Sequence, residues 1–398
     1  MEKFKALVYK RIVRGRFFQK VVYSFRIVIS LLLSAIFPKL AREYYDIWLL
    51  GTGDDRYENN IRTFDNFLRQ NGKRVIWVVD KKHLSESLWK DKEAVSRGSI
   101  KNYLIAYNCY ACVFSHNDWD IAPGLFRLKE KHNAVLLYIE HAPSGIKRSP
   151  SDLHAKIPAD IQCCLSGYER SLKLNEGAHE KSTRITGFAG YDDYCFREKN
   201  QPIKKILVMP TWRDWDLNGN RDFRSTNMYK HYGDLFNDNA FLEMTKKCSV
   251  TFILHPTAAR YFNTDPETVF ADCSSKINVI AGNDGRMRDE IITSDLLITD
   301  YSTLCLDFLY MNKPVFFYWY DSDEYDEKHG LLVTAKELGD ALVRTQSELI
   351  GRLNAIVNNP ESYKQLPLAD EYFDFHDHDN CRRIYEEVKQ EHKSNKVK

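Results

Sequence analysis

Two histidines each close an apolar run, His141 in LLYIEHAPSG and His255 in TFILHP, and Ser302-Thr303 follow a third run in LLITDYST. Short apolar runs of this kind read as buried strands. Polar residues just beyond the carboxyl ends of parallel strands are where open α/β sheets take their ligands. A strand that turns directly into a helix at Thr299-Asp300-Tyr301-Ser302-Thr303 offers hydroxyls and free backbone N–H groups to a phosphate or diphosphate. Ser302 or Thr303 caps that helix, and an ordinary cap is the plain alternative. His255 and Arg260 on the same edge would neutralise charge developing on a leaving phosphate; His255 as a structural strand-end residue is the alternative. His141, facing them from another strand end, is placed to take a proton in an in-line transfer, since imidazole titrates near neutrality; a loop histidine paired with Glu140 is the other reading.

Other polar groups are weaker candidates. Arg213, in PTWRD after the run Ile206–Met209, either meets phosphate or pairs with Asp214. The acidic run Asp321–Glu327 reads as a solvated loop that could contact a polyol or ribose. His376-Asp377-His378-Asp379 lacks a third ligand motif and is read as a solvated loop. Cys109 and Cys112 have C-x-x-C spacing without a second pair, and are read as core cysteines. No Walker-type glycine loop, G-x-S-x-G elbow or H-E-x-x-H occurs.

To bring these residues together the chain must alternate strands and helices. Strands are expected at 47–50, 74–79, 112–115, 135–139 and 162–165, with helices at 59–68 and 84–97 between them. Beyond a polar linker at 197–202, a second series is expected at 205–209, 251–254, 278–280, 296–299 and 315–318, with closing helices at 348–357 and 382–388. Two α/β domains with a cleft between them result. Their expected extents are 43–196 and 203–370, followed by a closing helix and tail at 371–398.

With 398 residues and 43% hydrophobic content the chain can fill two cores. Its formal charge of +2 is unevenly placed: residues 1–42 hold ten Lys or Arg and one Glu, and the rest holds 47 basic and 54 acidic residues. In FFQKVVYSFRIVISLLLSAIF only Ile27–Phe37 is free of charge, too short to span about 30 Å of hydrocarbon. One or two amphipathic helices lying on an anionic membrane, basic residues toward the headgroups, are expected instead, and Leu31-Leu32-Leu33 suits lipid better than nucleic acid. Nine scattered cysteines suggest a reducing cytosol.

In order and spacing these clusters resemble the CDP-glycerol glycerophosphotransferase family, the primases and polymerases of teichoic-acid and related capsule synthesis. The resemblance rests on LVMPTWRD (207–214), His255-Pro-x-x-x-Arg260, and SDLLITDYST (294–303) with Asp307, Lys313-Pro314 and Tyr325, and runs from Trp48 to about Val388. It implies a GT-B architecture of two Rossmann-like doubly wound domains, acceptor side first, CDP-polyol donor on the second, with an N-terminal membrane-binding segment on the cytoplasmic face. It implies attack of an acceptor hydroxyl, lipid-linked or glycan, on the phosphorus of a polyol phosphate, releasing CMP with no cofactor or dedicated metal. His141 would be the base, and Arg213, His255, Arg260, Thr299, Asp300, Ser302, Thr303 and Asp307 would serve the donor. Where the family has His-Gly this chain has His141-Ala142-Pro143, and its Gly-x-Pro-Arg-x-Asp appears as Gly187-Phe-Ala-Gly-Tyr-Asp192, so acceptor and polyol stay open. A nucleotide-sugar glycosyltransferase of the same fold and a non-catalytic membrane-anchored binding protein are the rival functions.

Overall fold

The computed structural model describes residues 2–397 apart from 54, 58, 128–131, 218–221, 263–264 and 283–284; the side chains of 2–17, 59, 256, 260 and 395–397 lie outside that description. Two wholly parallel sheets form the body. The first has order β3-β2-β1-β4-β5-β6-β7, from Ile47–Gly51 (β1), Arg74–Val79 (β2), Ala94–Ser96 (β3), Ala111–Phe114 (β4), Val135–Tyr138 (β5), Ile161–Cys164 (β6) and Thr183–Ile185 (β7). The second has order β10-β9-β8-β11-β12-β13, from Lys205–Val208 (β8), Ser249–Leu254 (β9), Ile277–Ala281 (β10), Leu296–Thr299 (β11), Val315–Tyr318 (β12) and Leu342–Val343 (β13). Strands such as IWLLG and LLIT are buried along their whole length, which is why they read as unbroken apolar runs. Each sheet reverses its winding once, between β1 and β4 and between β8 and β11, and a ligand crevice belongs at such points.

The chain returns to its starting domain at the end. Helix Asn380–Val397 packs Cys381, Ile384 and Val388 into the core beneath the first sheet, and Tyr385 stacks on Trp48 at 5.7 Å. Asp192 caps it, accepting from Asn380 N (2.9 Å), Asn380 Nδ2 (2.7 Å) and Cys381 N (2.7 Å). Gly187, five residues earlier, has φ +72°, and a Cβ there would meet Asn380 Oδ1 at 1.8 Å. The 187–192 motif thus serves the crossing of the chain between domains.

Three elements depart from expectation. Residues 84–97 hold only a helical turn, Ser87–Trp89, and edge strand β3, whose three residues are too few to show a period of two. The acidic run is a helix, Ser322–His329, ordered by aromatic packing of Tyr325. His376–Asp379 is no open loop: His376 bonds Tyr310 O, and Asp377 and Asp379 pair with Arg383 and Arg382. Cys109 and Cys112 are both fully buried, their sulfurs 3.5 Å apart.

The N-terminal segment forms one long helix, Glu2–Ile36, then a short one, Pro38–Arg42. One side packs on helix Ile100–Asn108: Ile27 and Ser30 are buried, Ser30 Oγ donates to Ile100 O (3.0 Å) and Arg26 to Gly98 O (2.9 Å). Arg26 is therefore spent on the protein body and does not face outward as expected; the basic side chains of residues 3–16 lie outside the described residues. On the other side Phe18, Val21, Phe25, Val28, Leu32 and Ile36 are each half or more exposed, and their spacing of three and four makes one apolar stripe. Over Phe18–Ile36 the mean hydropathy is 1.5, so by length and composition this stretch, Lys20 and Arg26 included, is apolar enough to cross a membrane, more than the uncharged core alone suggested.

Candidate functional site

The winding reversal of the second sheet supplies the site's floor. Strands β8 and β11 are neighbours, so the Pro210–Arg213 and Thr299–Thr303 turns emerge together. Asp300, fully buried, sews them: Oδ1 accepts from Thr211 N (2.8 Å) and Oδ2 from Arg213 Nη1 (2.9 Å). Thr299 Oγ1 donates to Met209 O (2.8 Å). Arg213 completes a bidentate pair with Asp321 (2.7 and 2.9 Å) inside a box of Tyr301, Tyr320, Tyr325 and Trp215. Burial opposes the guanidinium's charge, but Asp300 and the other facing groups hold it well above its ordinary pKa. Arg213, Thr299 and Asp300 therefore brace the edge from beneath, and none of them lines the cavity. Arg213 pairs with Asp300 and Asp321, leaving Asp214 to His329 (3.3 Å).

Above this floor lie two adjoining hollows of about 250 and 320 Å³, both bounded by His141, His255, Ser302 and Thr303. Five predicted residues converge here, Asp307 being the fifth, in the smaller hollow. His255 follows β9, where Pro256 starts helix Pro256–Phe262 and ends the strand. Its Nδ1 accepts Thr257 N–H at 3.2 Å, so a neutral ring carries its proton on Nε2. Ser302 Oγ accepts from Leu304 N (3.3 Å), and Thr303 is the N-cap of helix Leu304–Tyr310 without a side-chain cap bond. That helix has seven residues, so hydroxyls and local N–H groups, more than a macrodipole, define its end. Arg260 belongs to the helix after His255, but its side chain lies outside the described residues.

His141 comes from the first sheet, three residues past β5, on a loop held from below and behind. Glu140 is bound by Lys173. Fully buried Lys173 binds Glu140 Oε2 (2.9 Å), Glu169 Oε1 (3.4 Å) and Cys163 O (2.7 Å). Glu169 in turn accepts from Ser144 N (2.9 Å) and Leu165 N (2.6 Å). Asn60 bridges Glu140 O and Gly190 N. At Gly145, φ is +133° and Tyr372 Oη donates to its carbonyl at 2.6 Å; a Cβ would stand 2.2 Å from that hydroxyl, so glycine is required. Farther along, Leu332 N bonds Ile146 O and Arg148 N bonds Gly330 O, both at 3.1 Å, joining this loop to the second domain.

Asp307 accepts from Tyr194 Oη and faces a hollow also lined by Asn60, Tyr191 and Arg288. Burial pushes its carboxyl up to about 6, against the Tyr194 hydrogen bond and the Arg288 charge. A raised folded pKa means the folded state holds the proton longer, so stability falls as pH rises from about 4 to about 6, and the whole cost stands above that window. Asp307→Asn, which still accepts from Tyr194, is expected to raise stability near pH 8 by up to about 3 kcal/mol and to flatten that slope. Urea midpoints at pH 4, 6 and 8 check this; equal gains at all three would remove Asp307 ionisation as the cause.

Sequence reasoning missed Asn60, Tyr194, Lys173 and Arg288, which gave no local pattern. It also missed His116, which, like His141, ends a strand and could have been found on that ground. Among the described residues no group of three or more His, Cys, Asp or Glu side chains is arranged to hold a metal.

Residues 178–390 match the sequence profile of CDP-glycerol:poly(glycerophosphate) glycerophosphotransferases. The chain belongs to this family. Among curated relatives, the minor teichoic acid biosynthesis protein GgaB of Bacillus subtilis (strain 168) is 22% identical over 86% of this chain and 39% of its own length. The teichoic acid glycerol-phosphate transferase of Staphylococcus aureus (strain NCTC 8325 / PS 47) is 39% identical over 50% of this chain and 46% of its own. This glycerophosphotransferase-family chain thus spans less than half the length of either. The wall teichoic acid polymerase TagF, also solved after a CDPG soak, superposes with a TM-score of 0.65 over 96% of this chain and 98% of that one at 16% identity. The fold is GT-B-like, as the doubly wound sheets and the returning helix require.

Proposed function

We propose that the chain transfers glycerol phosphate, or a related polyol phosphate, from a CDP-activated donor to a hydroxyl of a lipid-linked or glycan acceptor, releasing CMP, in teichoic-acid or capsule-type polymer synthesis. The observation that carries this reading is the meeting of His141 and His255, from opposite sheets, with Ser302 and Thr303 around one pair of hollows. The diphosphate lies against Ser302 and Thr303, and Asp307 accepts from a hydroxyl of the donor. The acceptor oxygen bonds to the phosphorus that carries the polyol; its proton passes to His141, and the bond from that phosphorus to the bridging oxygen breaks. His255 Nε2–H donates to a phosphate oxygen as CMP leaves. Family membership and the donor soaked into TagF support the choice of donor.

Incubation with CDP-glycerol or CDP-ribitol separately, with CMP measured, tests the reaction. Release of CMP from one of them is expected; release of a nucleoside diphosphate with transfer of a sugar from a nucleotide sugar would overturn it.

The exposed stripe from Phe18 to Ile36 fits a peripheral place on the cytoplasmic face of the membrane, because its opposite side is taken by the protein body. Phe25→Ser with Leu32→Ser leaves the packed side intact and is expected to abolish sedimentation with anionic vesicles. Undiminished sedimentation would show that the stripe is not the lipid contact.

A further inference from the structure

We propose that His116 is a positioning residue that fixes the ring plane of His141 by stacking on it. Strands β4 and β5 are paired with Phe114 opposite Tyr138, so residues two and three places farther on leave the sheet side by side. The two imidazoles lie 12° from parallel with centroids 4.9 Å apart. His116 is itself held in a rigid turn. Asp120 Oδ2 accepts from the N–H groups of Ser115, His116 and Asn117 (3.3, 2.9 and 3.4 Å) and lies 3.6 Å from His116 Nδ1, on which Ser115 Oγ sits at 2.9 Å. The end of β1 closes the turn: a Cβ on Gly53 would stand 3.1 Å from Asp120 Oδ1 and 3.5 Å from His116 Nδ1.

The chemistry explains the need. His141 is exposed on a loop, and the terminal torsion of a histidine is broad, so the buried anchors that place its backbone do not choose its ring plane. Only some planes aim a ring nitrogen at an acceptor hydroxyl in near-attack geometry, and a misplacement of about 1 Å can cost about 100-fold. A parallel aromatic face removes the unwanted planes, and no proton passes through His116.

This inference rests on the reading of His141 as the base, and the test separates the two. With the full chain, CDP-glycerol and water as acceptor, His116→Ala is expected to lower kcat about tenfold or more at unchanged KM for CDP-glycerol. His116→Phe, which keeps an aromatic face and loses the ring nitrogens, is expected to stay within about threefold of the parent. In a His141→Ala background His116→Ala adds no further loss. In histidine-labelled protein, His116→Ala shifts the His141 ring resonances, a readout that needs no turnover. A His116→Phe as slow as His116→Ala, additive losses, or unmoved resonances would overturn the stack. A His141→Ala that keeps the parent rate would overturn the functional reading instead.

Discussion

Replacing His141 with alanine is expected to lower CMP release from CDP-glycerol by about 10²- to 10⁴-fold, the usual contribution of a positioned general base, and to leave KM for the donor nearly unchanged. The reasoning is positional. His141 comes from the first domain, across the hollows from Ser302 and Thr303, so on the proposed mechanism it would meet the acceptor hydroxyl while the diphosphate lies on the second domain. On the proposed mechanism, His255→Ala is also expected to lower kcat and to raise donor KM, because its Nε2–H would donate to a phosphate oxygen of the donor. Steady-state CMP release checks both. Equal kcat in parent and His141→Ala would take that imidazole out of the reaction, whatever happens to His255.

Lys173→Met is expected to destabilise the protein by about 3–5 kcal/mol, the cost of leaving a buried charge without its partner. The lysine is fully buried, and its ammonium stands between Glu140 and Glu169. Burial opposes its charge, yet the two carboxylates hold its pKa well above the ordinary lysine value. Glu169, also fully buried, has its pKa raised by burial even with Lys173 present. Without the lysine the rise is larger, so the folded variant holds an extra proton above the ordinary glutamate range. Its stability therefore falls as pH rises from about 4.5 upward, and the loss relative to the parent is greater near pH 8 than near pH 5. Adding Glu169→Gln removes one uncompensated carboxylate and recovers part of the loss at the higher pH. Urea unfolding at both pH values decides it; a loss independent of pH would point to packing alone.

Much of this site could be read from the chain because three of its parts sit at strand ends, where buried apolar runs stop at polar residues. LLIT, TFIL and VLLY announced β11, β9 and β5, and hence Ser302, His255 and His141. The limits were equally physical. Thr299 and Asp300 share the turn of Ser302, Arg213 lies in the neighbouring turn after β8, and one-dimensional spacing does not say which side chains point into the hollow and which point under it. Only the Asp300 bridge between two turns separates bracing from binding. Lys173 lies in the last turn of GYERSLKLN, where a lysine ordinarily faces water, and nothing local marks it as buried. Short edge strands β3, β7 and β13, two or three residues each, hold too little pattern to register.

The loop that carries His141 is also a place where the two domains touch through backbone. Leu332 N to Ile146 O and Arg148 N to Gly330 O cross the cleft, and Tyr372 reaches Gly145 from the returning segment. Opening the cleft would break these three bonds, while the Lys173, Glu169 and Asn60 anchors and the His116 stack, all within the first domain, would stay. On the function proposed above, closure over a bound donor would add these last ties to the His141 loop.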